Sequence, residues 1–145
     1  MTNPYMPISK TDEWATPGEL FKKINQRYAF TLDAAASQSN HLCEKWYGLD
    51  HEDNNRRNGL AGDWTHETVW INPPYGRGIG AWVEKAAHHG NCGGTAVMLL
   101  PSRTDTKWFH EYCQQGEVEF IKGRLKFGGH SNSAPFPSII VSFKP

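Results

Sequence analysis

The chain has 145 residues, of which 38% are hydrophobic and 12% aromatic. These proportions exclude an intrinsically disordered chain, and the length is typical of one domain that buries a substantial core. Its 15 basic and 15 acidic residues give a formal net charge of zero, so the strong basic excess of a dedicated nucleic-acid-binding protein is absent. We therefore predict one compact domain over residues 1–145, with residues 1–11 as a flexible N-terminal arm.

The sequence also bears on location and on metals. The first ten residues, MTNPYMPISK, lack the apolar core of a secretory signal, and no apolar run approaches the roughly 18 residues that span a membrane. The three cysteines form no C-x-x-C pair, and none of the seven histidines lies in an H-E-x-x-H motif. We predict a cytoplasmic protein with free thiols and no bound metal.

The first predicted element is a helix, TPGELFKKINQRY, over residues 16–28. Thr16 is a candidate N-cap, and Pro17 occupies the first helical position, where its missing N–H is not needed. Apolar residues recur at helical spacing along the segment. A strand, FTLDAAA (30–36), follows and runs into small residues.

The remaining chain alternates strands with helices. In order, it contains a short helical or irregular segment (37–48), a polar loop (50–62), strand TVWIN (68–72), helix GIGAWVEKAAHH (78–89), strand GTAVMLLP (94–101), helix DTKWFHEYCQQG (105–116) and strands VEFI (118–121) and SIIVSF (138–143). Asp105, or Thr104 beside it, is the candidate N-cap of the last helix. This alternation predicts an α/β domain with a mostly parallel central sheet and helices on both faces.

Two predicted strands end in polar residues where α/β sheets bind ligands. Asp33 ends the first strand and Asn72 the second, and ligands of such sheets lie at the carboxyl ends of the strands. Asn72 belongs to the stretch WINPPYGRG (70–78). Its two adjacent prolines, Pro73 and Pro74, stop the strand and stiffen the corner that follows.

The corner suits a planar amino group attached to an aromatic ring. The Asn72 side-chain oxygen and the Pro73 backbone carbonyl would accept its two N–H bonds, and Tyr75 would supply a flat face for stacking. Such a site needs neither a metal nor a strong base. The alternative is a simple strand-ending turn, because Asn-Pro commonly begins turns.

Six blocks of the sequence together resemble the phage-type DNA N-6-adenine methyltransferase family. They are DEWATP (12–17), FTLDAAAS (30–37), VWINPPYGR (69–77), LLPSRTDTKWFH (99–110), GRLKFGG (123–129) and APFPS (134–138). The resemblance implies a Rossmann-like methyltransferase domain without a separate target-recognition domain. It further implies methyl transfer from S-adenosylmethionine to the amino group of an adenine flipped out of DNA, in the cytoplasm of a bacterial host.

The resemblance assigns the methionine end of the cofactor to the first strand and the segment before the first helix. Three residues match the block that contacts the methionine part: Trp14, Thr16 and Pro17. Asp33 would face the ammonium group, and Ala34 and Ala35 would let the backbone pass close to the cofactor. The chain departs from larger relatives here, since DAAASQS stands where they carry the glycines of D-x-F-x-G-x-G.

The nucleoside end of the cofactor is assigned in the same way. An acidic residue near the next strand end should hold the ribose hydroxyls, and Asp50 is our choice, with Asp53 as the alternative. Asp63 matches the position that binds the adenine amino group, and Trp64 would pack on that ring.

We expect loops of this small domain to make the contacts with DNA. Five basic residues are candidates for phosphate or substrate contacts: Arg77, Arg103, Lys107, Arg124 and Lys126. Residues 120–145 contain four basic and no acidic residues, although a solvated edge would look the same. In the loop before the last strand, Phe127 or Phe136 would stack on the extruded adenine.

Several other interpretations remain open or are set aside. GRGIGA (76–81) fits a dinucleotide-binding fingerprint, but it follows NPPY and no acidic residue lies about 20 positions on. Trp82, Trp108 and Phe109 are interpreted as core residues of helices. The rival functions are methylation of an RNA base or a protein glutamine, and non-catalytic DNA binding or anti-restriction. The target sequence, the oligomeric state and a restriction partner are not determined.

Overall fold

The computed structural model of the chain describes residues 14–128 and 132–145. The predicted N-terminal arm, residues 1–11, lies outside the described residues. The first helix, α1 (Gly18–Tyr28), buries Phe21 and Ile24 and begins after Pro17, which is its N-cap and is extended. The prediction that Thr16 caps this helix is wrong, because the helix starts later than predicted and the cap position carries no side-chain hydrogen bond.

Five strands form one sheet. They are β1 (Leu32–Asp33), β2 (Thr68–Ile71), β3 (Thr95–Pro101), β4 (Glu117–Phe120) and β5 (Ser138–Phe143), and their order is β1-β2-β3-β5-β4. β1, β2 and β3 pair in parallel, whereas β5 is antiparallel to both β3 and β4. The α/β class is therefore confirmed, but the sheet is mixed.

The mixed sheet does not confirm the mostly parallel, Rossmann-like arrangement predicted from the alternation of elements. Parallel neighbours need a long crossover, usually through a helix, whereas antiparallel neighbours do not. No helix lies between β4 and β5 in the described residues, and these strands pair antiparallel. The placement of helices on both faces of the sheet stays a prediction.

Within the described residues, the other helices are α2 (Ile79–Asn91), α3 (Lys107–Glu111) and two short 3₁₀ helices, Asn54–Arg56 and Cys113–Gln115. The hydroxyl of Thr106 caps α3 by accepting from the N–H of Phe109 at 3.3 Å. The candidate caps Asp105 and Thr104 are therefore wrong, because the helix begins later than predicted. No helix in the described parts of the chain has the length and apolar character to cross a bilayer.

The core is built around the central strands. All residues of β3 after the first are buried, as are all residues of β5. The continuous apolar run of β3 is typical of a strand buried on both faces, whereas β5 is buried although it contains Ser138 and Ser142. In the register of β1 against β2, Asp33 lies opposite Trp70. Asn72 therefore follows β2 at the edge of the sheet where Asp33 ends β1, as predicted.

The loop after β1 is held by two close backbone contacts. A Cβ atom added at Gly48 would lie 2.1 Å from the backbone oxygen of Ala36, and one added at Gly59 would lie 1.8 Å from that of Ala34. Only glycine permits such approaches. The segment after Gly59 is tied to α2 by Lys85, which donates to the carbonyl of Leu60 at 2.8 Å.

We expect Gly59→Ala to destabilise the protein by roughly 1–3 kcal/mol, because the new methyl group must displace backbone atoms of the β1 loop. The matched control is Gly18→Ala, where an added Cβ has nothing within 4 Å and alanine favours the helix. Urea unfolding of both variants measures the difference. Equal stability of the two variants would contradict the tight contact at Gly59.

Candidate active site

A cleft of about 550 Å³ opens at the carboxyl ends of β1 and β2. Its size lies in the range of small-molecule sites. Most of its lining comes from five segments: residues 14–16, 33–37, 47–50, 57–59 and 72–74. Segments far apart in the sequence therefore meet around the two predicted strand ends.

The Asn72 side chain lies in the wall of this cleft in a defined orientation. Its NH₂ group donates to the backbone carbonyl of Trp14 and, at 3.0 Å, to the hydroxyl of Thr16. Its Oδ1 atom is buried and has no hydrogen-bond partner in the described structure. A buried acceptor without a partner costs about 1–3 kcal/mol, so this atom is suited to a ligand that brings an N–H donor.

The two prolines that follow also line the cleft. Pro73 is buried, and Pro74 is exposed. Each ring restricts φ and removes an N–H group, so Pro73 and Pro74 contribute backbone carbonyl acceptors and no backbone donors. That the corner presents these oxygen atoms to an amino group stays a prediction.

Tyr75 lies beneath the corner and is not among the residues that line the cleft. The ring is 2% exposed, and its hydroxyl donates to the carbonyl of Leu99 at 3.1 Å. Burial raises the pKa of Tyr75, so the phenol keeps its proton. Its stacking on a base stays a prediction, and it requires the ring to leave its present packing.

Tyr75 belongs to an aromatic cluster with Trp14, Phe127 and Phe136. The Trp14 ring lies 5.4 Å from Phe127 and 5.1 Å from Phe136 between centroids, in edge-to-face geometry. Phe127 is 1% exposed, whereas Phe136 is half-buried. Of the two candidates for stacking on adenine, Phe136 is the more accessible.

Asp33 presents a carboxylate at the base of the cleft. It is buried, and its Oδ2 atom accepts from the N–H of Leu42 at 2.9 Å. Burial raises its pKa to about 6, although hydrogen bonds from backbone N–H groups act in the opposite direction. No lysine or arginine of the described residues forms an ion pair with it. A cationic ligand group would therefore be attracted to this position.

The two candidates for the ribose ligand are placed differently. Asp50 lines the cleft, and its carboxylate accepts from the N–H of Gln38 at 3.0 Å. Asp53 is engaged outside the lining, where it accepts from the N–H of Asn55 at 2.9 Å and lies 3.7 Å from the guanidinium of Arg56. Asp50 and Asp33 therefore line the same cleft, whereas Asp53 caps the 3₁₀ helix Asn54–Arg56.

The other residues assigned to the cofactor fall into two groups. Four of them line the cleft: Trp14, Thr16, Ala34 and Ala35. Three do not: Pro17, Asp63 and Trp64. Asp63 is exposed and accepts from the N–H of Thr65 at 2.9 Å, and Trp64 is buried and donates to the carbonyl of Gly59 at 2.9 Å. Their contacts hold the turn after the polar loop, and their cofactor roles stay predictions.

The five basic candidates for DNA contacts are all exposed: Arg77, Arg103, Lys107, Arg124 and Lys126. Lys107 lies 3.7 Å from the carboxylate of Glu111, one turn further along α3. An exposed pair of this kind is weak, so Glu111 does not prevent Lys107 from contacting a phosphate. Their contacts with DNA stay predictions.

The sequence analysis did not assign several of the residues that line the cleft. Trp82 lines the cleft although it was interpreted as core, and Arg57 and Asn58 line it from the polar loop. The Asn58–Gly59 pair was the available signal, because Asn-Gly marks a tight turn. Within residues 14–128 and 132–145, no three His, Cys, Asp or Glu side chains converge as they would around a metal ion.

Comparison with known proteins adds the family. The family model described as DNA N-6-adenine-methyltransferase (Dam) matches residues 4–145. The DNA N-6-adenine-methyltransferase of Escherichia phage T1 is 37% identical over 117 residues, which cover 79% of this chain and 46% of that protein. That of Haemophilus phage HP1 is 27% identical over 155 residues, covering 100% of this chain and 86% of that protein. The chain thus spans about half of one relative and most of the other, and it belongs to the phage-type DNA N-6-adenine-methyltransferase (Dam) family.

Proposed function

We propose that the protein transfers a methyl group from S-adenosylmethionine to the exocyclic amino group of adenine in DNA. The observation that carries the proposal is the buried Oδ1 atom of Asn72, which has no partner in the described structure and belongs to a residue that lines the cleft. Membership of the family supports DNA adenine as the substrate. The relatives from phages T1 and HP1 are both named DNA N-6-adenine-methyltransferase.

The corner at the end of β2 would hold the amino group. Its nitrogen is a weak nucleophile, because the lone pair is delocalised into the ring. The Asn72 Oδ1 atom and the Pro73 carbonyl would accept its two N–H bonds and favour a pyramidal nitrogen. S-adenosylmethionine, when bound, supplies a methyl group that its sulfonium makes electrophilic, so the protein contributes alignment. The proton can leave after transfer, and no dedicated base is needed.

The other half of the cleft would hold the methyl donor. The buried carboxylate of Asp33 suits the ammonium group, and the small side chains of Ala34 and Ala35 let a ligand lie against the backbone. Asp50 would accept hydrogen bonds from ribose hydroxyls. Asp33, Ala34 and Ala35 are consecutive, and Asp50 lines the same cleft.

DNA would dock over the same edge of the sheet. A base inside a duplex cannot reach a cleft, so the adenine must be flipped out. Because the Asn72 Oδ1 atom and the Tyr75 ring are both shielded from solvent, docking of the base must include an adjustment of the cleft wall. The formal net charge of zero favours few and local phosphate contacts, from exposed residues such as Arg103 and Lys107.

The proposed function is tested by mapping methylated positions in DNA from cells that express the chain. We expect N6-methyladenine at a defined sequence, and none in cells that express Asn72→Ala. Purified protein with labelled S-adenosylmethionine and separate DNA, RNA and protein extracts tests the substrate class. Label in RNA or protein alone would refute the proposed substrate, and no label in any extract would refute the activity.

Asn72→Ala should lower kcat roughly 10²–10³-fold, because it removes an acceptor for the reacting amino group, and losing one preorganised hydrogen-bonding group at a reacting centre costs about this much. Affinity for S-adenosylmethionine should change little, as calorimetry can show. Asn91→Ala, at an exposed position at the end of α2, is the matched control. Full activity of Asn72→Ala would exclude the assigned role.

Asp33→Asn should stabilise the folded protein and weaken its binding of S-adenosylmethionine. The folded-state pKa of Asp33, about 6, lies above its usual value of 3.8, so its ionisation opposes folding as the pH rises through this window. The substitution should raise the free energy of unfolding at pH 8 by up to about 3 kcal/mol and have no effect below pH 3.8.

The same variant should bind S-adenosylmethionine more weakly, because the carboxylate that attracts the ammonium group is gone. Wild-type affinity should fall as the pH drops below about 6, and the affinity of Asp33→Asn should not show this fall. Calorimetric titrations at pH 5 and pH 8 measure both. Unchanged affinity of the variant at pH 8 would argue against Asp33 as a cofactor ligand.

Asp50→Asn and Asp53→Asn form a matched pair for the ribose contact. We expect Asp50→Asn to weaken binding of S-adenosylmethionine about tenfold, the loss typical of a hydrogen bond to a charged group. Asp53→Asn should leave the affinity nearly unchanged, since Asp53 is engaged at the 3₁₀ helix. If Asp53→Asn weakened binding and Asp50→Asn did not, Asp53 would be the ribose ligand.

A further inference from the structure

We propose that Thr16 is a positioning residue for the reaction. Its hydroxyl, together with the Trp14 carbonyl, fixes the Asn72 amide so that Oδ1 rather than the NH₂ group is presented to the substrate. The inference rests on the proposed function, because it concerns how Asn72 would act on an amino group. It replaces the helix-capping role predicted for Thr16, because Pro17 occupies the N-cap position.

The orientation of an asparagine amide decides whether this site attracts or repels its substrate. The two ends of the amide have nearly the same shape but opposite hydrogen-bonding character. An aromatic amino group offers N–H donors, which Oδ1 can accept. If the Asn72 amide were rotated by 180°, its own N–H bonds would meet those of the substrate.

Two acceptors hold the amide in the productive orientation. The NH₂ group of Asn72 donates to the carbonyl of Trp14 and, at 3.0 Å, to Oγ1 of Thr16. Both of its N–H bonds are therefore used. A carbonyl carries no proton, so the reversed amide would bring two oxygen atoms into contact at Trp14. These partners leave Oδ1 free for a ligand, which agrees with its lack of a partner in the described structure.

The segment that carries both acceptors, residues 14–16, is itself anchored, and we call it the strap. The carbonyl of Ala15 accepts from the N–H of Gly128 at 3.0 Å. The Trp14 ring packs edge-on against Phe127 and Phe136. Because the strap is held on its far side, its acceptors are in place before the substrate arrives, and the reaction does not have to order them.

The competing role for Thr16 is a direct contact with the methyl donor, since its side chain also lines the cleft. The two roles predict different kinetics. A positioning residue acts through Asn72 on the amino group, so its loss lowers kcat. A donor contact instead raises the KM and the Kd for S-adenosylmethionine.

Thr16→Val removes the hydroxyl and keeps the branched shape, whereas Thr16→Ser keeps the hydroxyl. We expect Thr16→Val to lower kcat about tenfold, the effect of leaving one buried donor unsatisfied, with the KM for S-adenosylmethionine unchanged. Thr16→Ser should restore kcat to within about twofold. Thr31→Val is the matched control, because Thr31 is exposed, does not line the cleft and bonds to Glu67.

A second measurement needs neither substrate nor cofactor. In the ligand-free protein, the side-chain amide protons of Asn72 should be protected from exchange with water and should show distinct NMR shifts. Thr16→Val should speed this exchange, and Thr16→Ser should restore the protection. Thermal unfolding of each variant confirms that the protein being measured is folded.

Three results would overturn the inference: unchanged kcat in Thr16→Val, an increase in the KM for S-adenosylmethionine without a change in kcat, or an Asn72 amide that exchanges equally in the wild type and Thr16→Val. A wild type that methylates no DNA would instead refute the proposed function. The NMR comparison would then still test whether Thr16 holds the amide.

Discussion

The hydrogen bonds between the Asn72 amide and residues 14–16 join two parts of the chain that lie 56 to 58 positions apart. They bring the segment before α1 over the end of β2 and so close one side of the cleft. They also satisfy the donor end of the amide and leave its acceptor end without a partner. The rest of the site is arranged around this contact: Asp33 lies at the end of the neighbouring strand, and the aromatic cluster packs behind the Trp14 ring.

The cleft keeps two polar groups that do not serve stability. Burial raises the pKa of Asp33 to about 6, so the charged form that a cationic ligand needs is the form that opposes folding. The buried Oδ1 atom of Asn72 likewise forgoes a hydrogen bond. The buried strands β3 and β5 supply hydrophobic stabilisation that offsets these costs. Ligand binding would offset both costs, which explains why a small domain can retain them.

Much of the site could be predicted because its residues lie in local patterns. The double proline after an apolar strand identified Asn72, and the strand ending in Asp33 indicated the second wall. Other features depended on distant partners. The Thr16 hydroxyl bonds to Asn72 rather than to its own helix, Tyr75 turns into the core, and Trp82 reaches the cleft from α2. The assignment of Asp63 and Trp64 followed a motif position, yet neither lines the cleft, because both are engaged in the turn after the polar loop.

Local chemistry was thus enough to establish the α/β class, the corner at residues 72–75 and the family resemblance. Apolar periodicity, proline stiffness and residue order along a motif are properties of neighbouring residues, and they need no partner from elsewhere in the chain. The reversal of β5, the absence of Asp53 from the cleft lining and the orientation of the Asn72 amide emerged only in the folded molecule. Each of these depends on which distant backbone or side-chain group comes within hydrogen-bonding distance, and that is set by the packing of the whole sheet.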